Sequence, residues 1–135
     1  MKNYLMENSK EIAGYMFGIG MILLILTLLL AIYNERQYKK IVTLYTAKFG
    51  TLPVTAAMSK HASLIATPGA YFAKIGFIFE SLISPYNRIS NHDMSRDAYD
   101  FIRGLPFKYT IGFKLFIALF ILGFLFMIPS FVIFN

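Results

Sequence analysis

The chain has 135 residues, of which 57% are hydrophobic and 17% aromatic, while only 15% are charged. Soluble domains are typically about 45–50% apolar and about 25% charged, so this composition excludes a disordered chain and favours one membrane-embedded domain. The sequence contains no cysteine, which excludes disulfides and thiol chemistry. The net charge of +6, from 13 Lys and Arg against 7 Asp and Glu, would also suit a nucleic-acid-binding protein.

The first predicted element is a transmembrane helix at residues 12–33. This run of 22 residues carries no charged side chain, and about 20 helical residues are enough to cross a hydrocarbon core of roughly 30 Å. Signal peptides have a shorter apolar region of about 7–15 residues after a basic start. The segment before this run instead balances two lysines against two glutamates. We therefore expect residues 1–11 to form a short external tail and the helix to be a retained anchor.

Residues 34–114 form the loop between two apolar runs, and the first helix is predicted to continue into this loop. Over residues 34–49, apolar side chains recur at helical spacing, with basic side chains on the other positions. Gly50 is a natural C-terminal cap, and Pro53 prevents the helix from resuming. We therefore expect one helix that extends beyond the membrane and ends at Phe49.

Two further helices are predicted in the loop. Residues 70–83 are too short to span a membrane and too apolar to lie in water, so we expect this helix in the membrane interface or beneath a partner. The residues expected at that interface are Tyr71, Phe72, Ile75 and Phe79. Residues 94–103 form the other helix, and Asp93 is expected to cap its start.

The second transmembrane helix is predicted at residues 115–134, a run of 20 residues without a charged side chain. The predicted fold class is thus an all-α integral membrane protein, a hairpin of two transmembrane helices with a partly helical, membrane-associated cytoplasmic loop. In the first span, Gly14 and Gly18 have the GxxxG spacing that lets two helices approach closely. These two glycines are candidates for helix association, with the second span or with another copy of the chain.

Lysine and arginine near the ends of the spans predict the orientation, because cytoplasmic loops of membrane proteins carry an excess of both residues. On the loop side of the two spans the basic residues are Arg36, Lys39, Lys40, Arg103, Lys108 and Lys114. We therefore expect a cytoplasmic loop, both termini outside, and basic side chains that meet anionic lipid headgroups. This placement explains the positive charge without a nucleic-acid partner, for which the sequence holds no recognisable module.

The sequence offers few groups for catalysis or metal binding. His61 and His92 are far apart and, without cysteine, form no metal-ligand pattern. No dinucleotide-binding, phosphate-binding or hydrolase motif is present. Neither span contains the Asp, Glu, His, Lys or Arg side chains that mark ion paths and substrate sites within membranes. We therefore expect a protein that is not an enzyme and that takes no cofactor, metal, small-molecule substrate or nucleic acid.

The order of these segments resembles that of the universal stress protein B family. The resemblance is carried by an N-terminal span, the basic segment NERQYKK at 34–40, the charged helix DAYDFIR at 97–103 and a C-terminal span. Members of that family are small two-pass inner-membrane proteins of proteobacteria that are linked to stationary phase and general stress. The resemblance implies a location in the bacterial inner membrane and implies no catalytic residues.

These features together predict a small, non-catalytic accessory protein of the bacterial inner membrane, linked to stress, that binds a protein partner or a second copy of itself. Two alternatives remain open. One is an immunity or exclusion protein against a membrane-active toxin or phage, which needs only a complementary surface. The other is a subunit of a larger membrane complex, in which Gly14, Gly18 and the Phe-rich second span would be contact faces.

Overall fold

A computed structural model describes residues 2–89 and 91–135 of the chain, and within these residues there is no strand. The elements are α1 (Lys2–Phe49), α2 (Val54–Met58), α3 (Pro68–Ile83), α4 (Arg96–Arg103) and α5 (Phe107–Phe134). By length and composition, α1 and α5 could each cross a membrane. The predicted all-helical class and the two long apolar helices are therefore confirmed.

Helix α1 is longer than the sequence pattern predicts at one end. It begins at Lys2 rather than at residue 12, because residues 2–11 contain neither the proline nor the glycine that would interrupt a helix. At its other end, Gly50 adopts a φ of 85°, a left-handed conformation that a residue with a Cβ rarely adopts. The Gly50 N–H donates to the Thr46 carbonyl over 2.8 Å, which closes the last turn.

The later helices also differ from their predicted bounds. Helix α4 begins at Arg96 and is capped by Ser95, whose hydroxyl accepts from the Ala98 N–H over 3.2 Å. Asp93, the expected cap, accepts instead from the N–H of Thr55 over 3.1 Å. Helix α5 begins at Phe107 rather than at residue 115, so the second apolar helix has a polar first part.

The chain divides into two compact units, and the first comprises Met1–Leu30 and Phe116–Asn135. Its buried positions recur every seven residues on both helices. They are Ala13, Gly20 and Thr27 on α1, and Phe116, Gly123 and Ser130 on α5. A seven-residue repeat of inward-facing positions is typical of two helices that cross at a shallow, left-handed angle.

Two glycines bring the backbones of this first unit together. A Cβ on Gly20 would lie 3.1 Å from the Gly123 carbonyl oxygen, and a Cβ on Gly123 would lie 3.5 Å from that of Gly20. Larger side chains at these positions would push the helices apart. By contrast, a Cβ on Gly14 or Gly18 would have no atom within 4 Å. Association of another copy through Gly14 and Gly18 therefore stays a prediction.

The second unit, Ala31–Leu115, is a small helical domain with its own hydrophobic core. All five helices contribute buried apolar side chains to it, so the segment between the two apolar stretches is folded. These core residues are Tyr38, Ile41, Tyr45, Ala56, Tyr71, Ile75, Phe77, Ile78, Met94, Ala98, Tyr99, Ile102 and Phe113. The Tyr45 ring meets Phe77 of α3 at 5.5 Å and Phe101 of α4 at 6.1 Å between centroids. We refer to this unit as the folded unit.

Candidate functional site

Lys74 is a charged side chain on the buried face of α3, with only 3% of its side chain exposed. Its ammonium lies 3.1 and 3.0 Å from the two carboxylate oxygens of Glu35 on α1, and 3.2 Å from the carbonyl oxygen of Ala62. It also lies 4.5 Å from the centre of the Tyr38 ring. These partners compensate a buried ammonium for its lost hydration. We name Glu35, Tyr38, Ala62 and Lys74 the Lys74 cluster.

The Lys74 ammonium has an acceptor for each of its donors. An ammonium has three N–H donors, and three oxygen acceptors surround this one. Lys74 is therefore both covered and fully hydrogen-bonded. Nearby, burial and then the charge of Glu35 raise the pKa of the Tyr71 phenol to about 12, so Tyr71 stays neutral.

A second polar group lies on the same turn of α1. The Asn34 side chain is fully buried, and its amide nitrogen donates to the Gly112 carbonyl of α5 over 2.9 Å. The side-chain oxygens of Asn34, Gln37 and Tyr38 are buried and have no hydrogen-bond partner within the described part of the chain. Buried oxygens of this kind are usually satisfied by ordered water.

A pocket of about 110 Å³ lies between α2, α3 and the turn that precedes α4. Its lining residues are Thr55, Ala56, Phe72, Ala73, Gly76, Phe77, Glu80, Ile89, His92 and Asp93. We name it the α2–α3 pocket. Pockets for small-molecule ligands usually have volumes of roughly 300–1,000 Å³, so this one is smaller than a typical ligand pocket.

The α2–α3 pocket holds three titratable side chains. Burial raises the pKa of Glu80, the negative charge of Asp93 raises it further, and His92 acts in the opposite direction. Glu80 can therefore hold a proton above its ordinary range. Within the described residues, no three His, Cys, Asp or Glu side chains are arranged to hold a metal ion.

The six basic residues predicted near the span ends are all exposed. They are Arg36, Lys39, Lys40, Arg103, Lys108 and Lys114. The ammonium groups of Lys40 and Lys108 lie 5.7 and 5.1 Å from the centre of the Tyr109 ring, which draws α1 and α5 side chains together. Arg103 stacks on Tyr99 at 5.5 Å and donates to its hydroxyl. The folded unit therefore presents an exposed set of cations, which we name the basic surface.

The four residues predicted at the membrane interface differ in how deeply they are buried. Tyr71 and Ile75 are buried within the chain, whereas Phe72 and Phe79 are half-buried. The cover that α3 needs for Tyr71 and Ile75 is thus supplied by the folded unit itself, not by lipid or by a partner.

Sequence reasoning missed the Lys74 cluster and the α2–α3 pocket. The available signal was a lysine within the apolar segment 70–83, but Glu35 lies 39 residues away and nothing in the sequence connects the two. Pairings of this kind arise only from tertiary folding. No protein-family model, no curated protein and no solved structure matches this chain.

Proposed function

We propose that this chain is a two-pass protein of the bacterial inner membrane whose folded unit binds a protein partner, in a stress-linked accessory role without catalysis. One observation carries the proposal. A small helical domain with its own core, Ala31–Leu115, falls in the sequence between two apolar stretches that are long enough to span a membrane. That arrangement is typical of a domain anchored at a membrane surface.

The low burial of the two apolar helices supports their insertion into lipid. Within the most apolar window of each helix, only 17% is buried inside the protein. A core helix of a soluble protein would be mostly buried, since an exposed apolar surface of this size is unfavourable in water. Lipid as the surrounding solvent removes this cost, and the hydrogen-bonded helices need no polar partner from it.

The chemistry of the folded unit favours binding over catalysis. The Lys74 ammonium is engaged by Glu35 and Ala62, and the α2–α3 pocket is small. The outer surface of the folded unit carries large exposed apolar side chains, among them Val54, Met58 and Ile89. Such residues beside a small pocket suit a partner that inserts one side chain.

The basic surface supports a cytoplasmic position of the folded unit, with both termini outside. All six of its cations are exposed, and they lie close in sequence to the ends of the two spans, where Lys and Arg direct orientation. The stress-linked role is supported only by the resemblance to the universal stress protein B family.

Cysteine accessibility tests the membrane topology, because the native chain has no cysteine and each introduced one is unique. Lys60 and Glu7 are exposed positions, in the folded unit and in the first turns of α1. With a membrane-impermeant maleimide on intact cells, we expect Glu7→Cys to be labelled at once and Lys60→Cys only after lysis. The opposite pattern contradicts the orientation and favours the immunity or exclusion function. Release of the chain by alkaline extraction contradicts membrane insertion.

The stress-linked role has a separate test. We expect deletion of the gene to lower survival under envelope stress, and expression of the wild-type chain to restore it. Crosslinking from the folded unit in the same cells should capture one protein at fixed stoichiometry. Unchanged survival of the deletion strain contradicts the stress link, even where the topology is as proposed.

A further inference from the structure

The segment between α2 and α3 contains a turn in which three backbone N–H groups find acceptors within the turn itself. At residues 63–67, the Ser63 N–H donates to the Thr67 hydroxyl and the Ala66 N–H to the Ser63 hydroxyl, each over 3.1 Å. The Thr67 N–H donates to the Ser63 carbonyl over 2.9 Å. A segment bonded in this way can approach lipid, because lipid offers no replacement for lost hydrogen bonds with water.

Ile65 stands at the tip of this turn with 80% of its surface exposed. A single exposed isoleucine is common on proteins and by itself indicates no function. What distinguishes Ile65 is that its turn follows Ala62 of the Lys74 cluster.

The Lys74 cluster holds the turn beside the end of the first span. The Lys74 ammonium bonds both to Glu35 of α1 and to the carbonyl of Ala62, directly before the turn. Glu35 follows residue 33, the last of the proposed first span, by only two residues, which is about 3 Å along a helix axis. Ala62, the residue directly before the turn, is therefore held by Lys74 within a side chain's reach of Glu35.

The charges around the turn complement an anionic lipid surface. Residues 51–79 contain no Asp or Glu. Lys60 precedes the turn and is exposed, as are Arg36 and Lys39 on α1 next to Glu35. Cations attract the anionic headgroups of a membrane surface.

We propose that the turn at residues 63–67 enters the headgroup region of the bilayer that α1 spans, with Ile65 as its apolar contact and Lys60 facing anionic headgroups. This inference rests on the proposed function, since it requires residues 12–33 to span that bilayer. It also replaces α3 as the interfacial element, because Tyr71 and Ile75 are buried within the chain. The turn gives the folded unit a membrane attachment additional to the two spans.

Depth-dependent fluorescence quenching tests this contact. Single-cysteine variants of the full chain carry an environment-sensitive fluorophore in vesicles of phosphatidylcholine and phosphatidylglycerol, with or without lipids that bear a quencher near the headgroup. The probe site is Ile65→Cys. Ile89→Cys is the matched control, because this isoleucine is 89% exposed and lines the α2–α3 pocket. We expect lipid-borne quenching to be several-fold stronger at position 65 than at position 89.

A third label separates the failure of this inference from the failure of the proposed function. Ile25 lies within the first span and is exposed on the helix surface, so Ile25→Cys must be quenched by lipids labelled deep in their acyl chains. Quenching at position 25 together with equal, weak quenching at 65 and 89 overturns the membrane contact of the turn and leaves the spans intact. Absence of quenching at position 25 overturns the proposed membrane insertion and this inference with it.

Discussion

Gly112 lies so close to Asn34 that a methyl group on its Cα would collide with the side-chain oxygen of Asn34. The same asparagine donates to the Gly112 carbonyl, and its side chain is fully buried. In the sequence, Gly112 is one of 9 glycines and nothing distinguishes it. At the residue scale, this contact between α1 and α5 is therefore a requirement that only the folded unit reveals.

We expect Gly112→Ala to lower the free energy of unfolding by about 1–2 kcal/mol, because overpacking outweighs the gain in helix propensity. Denaturant unfolding in detergent measures this change. Gly69→Ala is the matched control in α3, since a Cβ there meets no atom within 4 Å. Equal stability of the two variants would show that the Asn34 side chain moves aside without lowering the free energy of unfolding.

Glu80 makes stability depend on pH in a direction that follows from its environment. Its pKa in the folded chain is raised from 4.5 by burial and by Asp93, against the influence of His92. The folded state therefore binds more protons than the unfolded state above pH 4.5. Stability is highest below that pH and falls as pH rises through the raised pKa.

We expect Glu80→Gln to raise the thermal unfolding temperature at neutral pH, and to change it little below pH 4.5, where Glu80 is already protonated. Thermal unfolding across a pH series measures the difference. Glu7→Gln serves as control, because Glu7 is an exposed carboxylate outside the folded unit. The environment assigned to Glu80 is wrong if the Glu80→Gln variant loses stability at neutral pH.

At the scale of elements, the Lys74 cluster joins α1, α3 and the segment after α2. The side chains differ in exposure, since 40% of Glu35 is exposed against 3% of Lys74. Loss of the carboxylate thus leaves an unpaired charge buried on α3, whereas loss of both charges leaves no charge unpaired. The energetic consequences of these two changes differ in a way that unfolding experiments can detect.

We expect Glu35→Gln to destabilise the folded unit by about 1–3 kcal/mol, and the double variant Glu35→Gln/Lys74→Met to be less destabilised than Glu35→Gln alone. Asp100→Asn is the control, because it removes the ion pair with Arg96, which spans 3.7 Å between two exposed side chains. That loss should stay within about 0.5 kcal/mol. If the double variant is less stable than Glu35→Gln, Lys74 stabilises the folded unit even without its carboxylate partner.

At the scale of the whole molecule, the proposed orientation depends on where the positive charges lie relative to the two long apolar helices. Arg36, Lys39 and Lys40 directly follow the proposed first span, residues 12–33, and are exposed. Lys60 and Arg88 are equally positive but lie far from both span ends in the sequence. Only cations within about 15–20 residues of a span end contribute strongly to orientation.

We expect replacement of Arg36, Lys39 and Lys40 by Gln, combined with Glu7→Lys and Glu11→Lys, to invert the chain in the membrane. The folded unit would then face the outside, and a cysteine at a position such as Ile89 would be labelled in intact cells. Removal of Lys60 and Arg88 changes the net charge without moving the cations at the span ends, and should leave the orientation as it was. An unchanged orientation in the first variant would exclude these three residues as topology determinants.

The sequence predicted the features that depend on local composition. Two long apolar helices and the end of α1 before Gly50 follow from hydropathy and backbone preference, which neighbouring residues express without help from distant ones. The bounds of α4 were less predictable, because Asp93 and Ser95 are both good caps and the choice depended on Thr55, 38 residues away from Asp93. The pattern of residues 70–83 predicted an apolar helix but could not identify its cover.

Helical class, the two apolar helices and the placement of positive charge were thus determined by the sequence alone, since each arises from interactions between residues close together in the chain. Only the tertiary structure decided that the segment between these helices has its own core, that Glu35 and Asn34 of α1 meet Lys74 and Gly112, and that a turn is held beside Glu35. These contacts join residues dozens of positions apart. The physical reason is that close packing and charge compensation act between residues that are near in space. The periodicity of a sequence does not identify which distant residue fills a packing gap or pairs with a buried charge.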